Sequence, residues 1–194
     1  MIAAGRNQKK LERLRERFGD DRVQIRVFDA TDTLSLKNAC TRASFVINAV
    51  GPFVLTGAAI AQTTMECGRP YLDCANEQGH YHNLKALDDL AQQQELPLIT
   101  AAGVIPGIST LFIAHLLQQF PKTSEVTCCW AQFRHAYEQS GLASMMGGIL
   151  EAMEQPLRLH KGELQPLLVG SSIREFELQE PFGRLRFMEL PAID

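Results

Sequence analysis

Apolar and polar positions switch between two periods along the first 120 residues of the chain. Ile2–Gly5 is a short apolar run. From Gln8 to Phe18, Leu11, Leu14 and Phe18 recur three and four residues apart among charged residues, the period of an amphipathic helix, and Gly19 closes it. Val23, Ile25 and Val27 then alternate with polar residues up to Phe28, which predicts an edge strand. Asp29-Ala30-Thr31-Asp32 caps a second helix, Thr33 to Cys40, with Leu34 and Leu36 as its apolar residues. Phe45–Val50 is apolar on both faces, as strands covered by helices on each side are, and Gly51-Pro52 ends it.

The alternation continues with a small-residue helix from Thr56 to Cys67, a strand at Tyr71–Ala75 and a polar helix from Tyr81 to Gln94. A strand at Leu96–Ala101 and a helix at Ile108–Gln119 follow. Strand and helix alternating through short loops predict right-handed βαβ units, a mostly parallel sheet and an α/β fold. After Pro121 the pattern changes. Ser124–Phe133 reads as a strand, and Gly141–Met153 as a helix whose Met145, Met146 and Met153 are adaptable core filling or a dimer face. Leu164–Val169, Ile173–Leu178 and Leu185–Leu190 read as strands with no helices between them, hence an antiparallel sheet. The expected division is residues 1–120, then a partial α+β domain over 121–194 that stops without a closing element.

Composition narrows this picture without redirecting it. Hydrophobic content of 45% and charged content of 21% are those of an ordinary soluble globular protein. A net charge of −3 supplies no basic field for nucleic acid or anionic lipid. The N-terminus lacks the pattern of a signal peptide. Leu98–Leu117 has no charged residue, but Gly103, Pro106 and Gly107 interrupt it, so strand, loop and buried helix are expected rather than a membrane span. Five scattered cysteines without Cys-x-x-Cys spacing indicate reduced, mostly buried thiols and a cytoplasmic protein. His80 and His82, near Asp73 and Glu77, are expected to be polar residues at a helix start, with no metal site.

Chemistry is concentrated at strand ends. Gly5-Arg6-Asn7 follows the first strand, where an arginine favours the 2′-phosphate of NADP and an acidic residue favours the 2′-hydroxyl of NAD. On this turn alone, phosphate binding and a solvated arginine at a helix start stand level. Asp29-Ala30 would lie beside the adenine, while Asp29 also suits an N-cap. Asn48, Ala49, Val50, Gly51 and Pro52 sit at the end of the strand beside the expected topological switch point, where α/β sheets bind ligands. Tyr81 and Lys85 share a helix face in the manner of short-chain dehydrogenases, without that family's spacing or serine.

Ala4–Asn7, Asp29–Asp32, Asn48–Phe53, Tyr71–Asp73 and Gly103–Gly107 occur in the order seen in saccharopine dehydrogenase-like (saccharopine reductase) proteins, which this chain resembles over about residues 2 to 120. The resemblance implies a Rossmann-like NADP-binding domain and an α+β domain that helps form a substrate cleft and a homodimer. It implies that Gly5, Arg6 and Asn7 hold the 2′-phosphoribose and that Asp29 and Ala30 border the adenine. Asn48–Pro52 would line the nicotinamide side, Asp73 would face the cleft as the candidate catalytic residue, and Gly103–Pro106 would form the far wall. The implied activity is an NADP-dependent oxidoreduction of a C=N or similar polar double bond in a small molecule, with amino acid derivatives among the substrate classes. A non-catalytic NADP-binding or sensing protein, or an inactive fragment, is the alternative. The family's first strand and Gly-rich loop have no counterpart before Met1, and no Gly-x-Gly occurs anywhere in the sequence. A truncated chain with its sheet opened in the middle is therefore expected.

Overall fold

The computed structural model describes residues 1–19, 21–131, 142–154 and 156–191. The chain divides into two compact units, one of Met1–Asp73 with Asn83–Thr100, the other of Cys74–His82 with Ala101–Asp194.

The first unit is α/β. Strands β1 (Ile2–Gly5) and β2 (Gln24–Val27) pair in parallel, from Ile2 opposite Gln24 to Gly5 opposite Val27. Helix α1 (Gln8–Phe18) joins them, capped by Asn7, whose side chain accepts from Lys10 N at 3.0 Å. Its last turn closes on Gly19, at φ 97°, whose N–H donates to Arg15 O. Leu11 packs with Ala3 and Val23 in a small core, backed by Leu14 and Ile25. Phe18, on the same predicted stripe, is half exposed because it lies beyond the edge of that small core.

Helix α2 (Thr33–Cys40) leads to β3 (Val46–Asn48), α3 (Phe53–Glu66), β4 (Tyr71–Asp73), α4 (Gln78–Lys85), α5 (Asp88–Gln93) and β5 (Leu98–Ile99). The strands form a second parallel sheet in the order β3-β4-β5. Its core joins Leu36, Cys40, Ile60, Ala61, Met65, Tyr71, Leu84 and Ala91, with Phe28, Ala30, Val46 and Val50 packed against it. Among the described residues no ladder joins β1-β2 to β3-β4-β5, so the parallel strands form two sheets.

Three expectations are corrected here. The β3 run is covered on one face only: Val46 packs on the core, whereas Phe45 and Ile47 are 58% and 62% exposed. Strand alternation sends those two side chains to the opposite face. Helix α3 starts at Phe53 rather than Thr56, with Pro52, extended at φ −68° and ψ 131°, as its N-cap. The polar helix expected over 81–94 is two, α4 and α5, separated at 86–87.

The second unit holds α6 (Ile108–Gln119), α7 (Leu142–Met153) and two antiparallel hairpins. One pairs β6 (Leu157–His160) with β7 (Glu163–Pro166), the other β8 (Ile173–Glu177) with β9 (Arg184–Met188). The expected antiparallel sheet is thus two separate two-stranded pairs. Strand β6 was not anticipated, yet Lys161 and Gly162 turn with positive φ at both positions, the conformation of a tight hairpin. The strand expected at Ser124–Phe133 is not formed over 124–131, and residues 132 and 133, like Gly141, lie outside the described residues. Leu98–Leu117 resolves into β5, a loop and α6, and no helix among the described residues is long and apolar enough to cross a membrane.

Helix α7 turns its polar side inward. Glu151 is buried and accepts from Gln78 N at 2.7 Å, while Met145, Met146 and Met153 are exposed and fill no core. Gln78 exchanges two hydrogen bonds with the Leu157 backbone, at 2.7 and 2.8 Å, as a strand neighbour would. The thiols are less buried than expected: Cys40 is enclosed, Cys67 and Cys129 are half-buried, and Cys74 and Cys128 are exposed. Scattered cysteines follow the surface of whichever element carries them, and spacing alone does not report it.

Candidate functional site

At the end of β1, Gly5 leaves open space in front of the backbone, since a Cβ there would meet nothing within 4 Å. Arg6 follows with its side chain 78% exposed and Nη1 3.7 Å from Asp29 Oδ2. Asn7 spends its side-chain oxygen on the α1 cap and keeps its amide N–H groups as donors. Asp29 is not a helix cap. Its Oδ1 accepts from Thr31 N at 3.0 Å and from Thr31 Oγ1 at 2.8 Å, a local turn, and Asp32 caps α2 by accepting from Leu34 N at 3.2 Å. The Thr31 backbone N–H, then its hydroxyl, hold the Asp29 carboxyl below the usual carboxylate range, with Arg6 adding to them. Ala30 packs on the larger core. This end of the unit is therefore a solvent-facing pair of opposite charges, its carboxylate fixed by a short-range turn.

The ends of β3 and β4 are built differently. Register places Asn48 opposite Asp73. Asn48, Tyr71 and Asp73 are buried at 3%, 1% and 0% exposure. Asn48 Nδ2 donates to Tyr71 Oη at 2.9 Å, and Asn48 Oδ1 accepts from Val50 N at 2.8 Å. Thr56 Oγ1 donates to Val50 O and to Pro52 O, both at 3.1 Å. Both polar groups of the Val50 backbone are thus held by side chains, and the turn Asn48–Pro52 is fixed from the strand below and the helix above. Thr100 Oγ1 donates to Asp73 Oδ1 at 2.7 Å. Tyr71, Thr56 and Thr100 escaped the sequence reading. The signal for Tyr71 was a hydroxyl-bearing aromatic at the start of a buried strand, which must find a partner.

Arg6 thus meets Asp29, Asn48 lies beside Asp73, and Ala30 and Val50 share one core. Gly103 belongs to the second unit, where a Cβ would sit 3.3 Å from Cys74 O and from Pro106 O. Its neighbour Gly107, at φ 115°, would place a Cβ 2.5 Å from Gly103 O, so the loop requires glycine there. Tyr81 and Lys85 lie on α4 as expected. His80 is fully buried, contrary to a polar helix start, and Glu77 beside it is buried too. Helix periodicity over so short a segment gave no sign of that. Among the described residues no three His, Cys, Asp or Glu side chains are grouped to hold a metal ion.

Residues 1–100, more than half of the 194-residue chain, match the family described as "Saccharopine dehydrogenase NADP binding domain". The chain belongs to this family. NADP is accordingly its cofactor, and the parallel strands described above are those of a Rossmann-like domain. Over 107 residues the chain is 30% identical to a "Lipid droplet localized protein" of Caenorhabditis elegans, covering 52% of this chain and 25% of that protein. Over 109 residues it is 28% identical to a "Probable mitochondrial saccharopine dehydrogenase-like oxidoreductase" of Arabidopsis thaliana, covering 53% of this chain and 24% of that one. The match therefore spans about a quarter of the length of these curated relatives. The donor set at β1 suits a phosphate monoester, being an exposed guanidinium beside a side-chain amide at a strand end with open space. The sequence holds no Gly-x-Gly loop for the pyrophosphate.

Proposed function

We propose that this chain is the NADP-binding part of an oxidoreductase that transfers hydride to or from a C=N or similar polar double bond of a small molecule. When bound, NADP supplies the hydride donor or acceptor. Arg6, with Gly5 and Asn7, grips the 2′-phosphate, and Asp29 and Ala30 border the adenine. Asn48, Ala49, Val50, Gly51 and Pro52 carry the nicotinamide side. The observation that carries this reading is the exposed Arg6 guanidinium at the end of β1 in a chain whose first 100 residues match an NADP-binding family. Titration of NADPH and NADH against wild type and Arg6→Ala tests it. Wild type should prefer NADPH, and the variant should lose about tenfold or more of NADPH affinity, as removal of a charge-assisted bond implies. No preference, or no loss, sinks the Arg6 role.

A second reading is favoured by Asp73. The candidate proton-handling carboxylate is fully buried and hydrogen-bonded by Thr100, the arrangement of a structural group. That supports an NADP-binding or sensing domain without turnover, or a fragment inactive by itself. Cofactor oxidation with any member of an imine and keto-acid panel decides against it. The resemblance also supports a domain boundary near 120, an α+β domain beyond it and a homodimer. The cytoplasmic location is likewise a proposal, set beside relatives whose names place them on lipid droplets and in mitochondria.

A further inference from the structure

The Asn48–Pro52 turn is tied to a residue buried in the core. Tyr71 is 1% exposed and belongs to the core that also holds Leu36, Ile60 and Met65. Its hydroxyl is the partner of Asn48 Nδ2. An asparagine amide can rotate about its last bond, and nothing in its shape prefers oxygen on one side. The Val50 N–H, which can only donate, sets Oδ1 on its side, and the Tyr71 hydroxyl holds the other end of the amide by accepting from Nδ2. Thr56 then takes the Val50 carbonyl. The side chain of Asn48 is thus committed on both its atoms, and what the turn presents outward is backbone in one fixed conformation.

We infer that Tyr71 is a positioning residue for the cofactor, setting through Asn48 the conformation of the Val50–Pro52 turn that borders the nicotinamide side. The inference rests on the NADP reading above. A turn ordered before binding spares the ligand the entropy of ordering it. Loss of the hydroxyl leaves Nδ2 buried without that acceptor and frees the amide to swing, so the turn samples other conformations. The effect is local to the nicotinamide side. Asn7 and Asp29 are held by contacts of their own with Lys10 and Thr31, and Arg6 approaches Asp29.

The test compares NADPH with 2′,5′-ADP, which carries the adenosine 2′-phosphate and no nicotinamide. Both are titrated by calorimetry against wild type, Tyr71→Phe and Thr56→Val, with thermal unfolding of each protein recorded without ligand. Tyr71→Phe should weaken NADPH about tenfold, the loss expected when a buried donor loses its partner, and leave 2′,5′-ADP unchanged. Thr56→Val, which releases the turn from the helix side, should show the same split. Equal weakening of both ligands makes Tyr71 a merely structural residue and overturns the inference. So does unchanged NADPH affinity, or a wild type that binds the two ligands equally. A wild type that binds neither overturns the NADP reading and this inference with it.

Discussion

The two parallel sheets of the first unit end in opposite kinds of chemistry. Beyond β1 and β2, Arg6 and Asp29 face solvent 3.7 Å apart, Asp29 held in a local turn by Thr31 and the Arg6 side chain largely exposed. Within β3 and β4, Asn48, Tyr71 and Asp73 are buried, and Asn48 donates to Tyr71 at 2.9 Å. The first arrangement adds little to stability, since water screens exposed charges, but leaves a cation available to an incoming anion. The second is expensive to disturb, because each buried polar atom has given up water for one particular partner. A dinucleotide has a charged end and a flat, weakly polar end. A flexible cation suits the one, and a rigid backbone surface suits the other.

The cores beneath these strands offer the severest way to break the comparison. Met65→Ala, in the larger core, should lose about 2–5 kcal/mol of stability in denaturant unfolding, the range for truncating a fully buried side chain. Leu11→Ala, in the three-residue core of β1-β2, should fall at the low end of that range. A larger loss at Leu11 would mean that the smaller sheet is the anchor of the unit. Next in size, Asn48→Ala should lose about 1–3 kcal/mol by leaving Val50 N without its side-chain acceptor. If its unfolding midpoint stays that of wild type, the buried end is not the rigid one. Arg6→Ala should leave the midpoint where it was while lowering NADPH affinity, the reverse of a core change. A marked drop in stability there would dissolve the contrast.

Carboxylates sharpen the same distinction through pH. Burial, opposed by the Gln78 N–H bond and reinforced by the charges of Glu77 and Glu154, pushes Glu151 up to about 7. A folded value above the ordinary 4.5 means that the native state holds more protons between those limits. The contribution of Glu151 is then fully present below 4.5 and is lost as pH rises through about 7. Glu151→Gln should flatten that part of the stability profile and be the more stable protein at pH 8. Asp29 and Asp32 run the other way. Hydrogen bonds from Thr31 and from Ser35 lower them, so their smaller contribution is present above 3.8 and lost as pH falls through their lowered values. Unfolding midpoints of Glu151→Gln, Asp29→Asn and wild type across pH 3 to 8 check both slopes. A Glu151→Gln profile parallel to wild type between pH 5 and 8 would remove Glu151 as the titrating group.

The parallel α/β part was legible because its signals are local. The bounds of β1, α1, α2 and α6 follow from periodicity, a capping side chain or a closing glycine, all within a few residues. Arg6 and Asp29 could be named for the same reason, as each lies in a short turn at a strand end. The hairpins were only partly legible, since short strands without helices between them say little about partners. Burial was the least readable property. Phe45 and Ile47 look like core residues and are exposed, while His80 and Glu77 look like surface and are enclosed.

The sequence by itself determined the alternation of strand and helix, the caps, and the placing of a cation beyond the first strand, because each rests on interactions between near neighbours in the chain. Only the tertiary structure decided that, among the described residues, β1-β2 and β3-β4-β5 are separate ladders and that Asn48 finds the Tyr71 hydroxyl. Those depend on which distant backbones pair and which polar atoms lose their water together, and no pattern along a single strand carries that information.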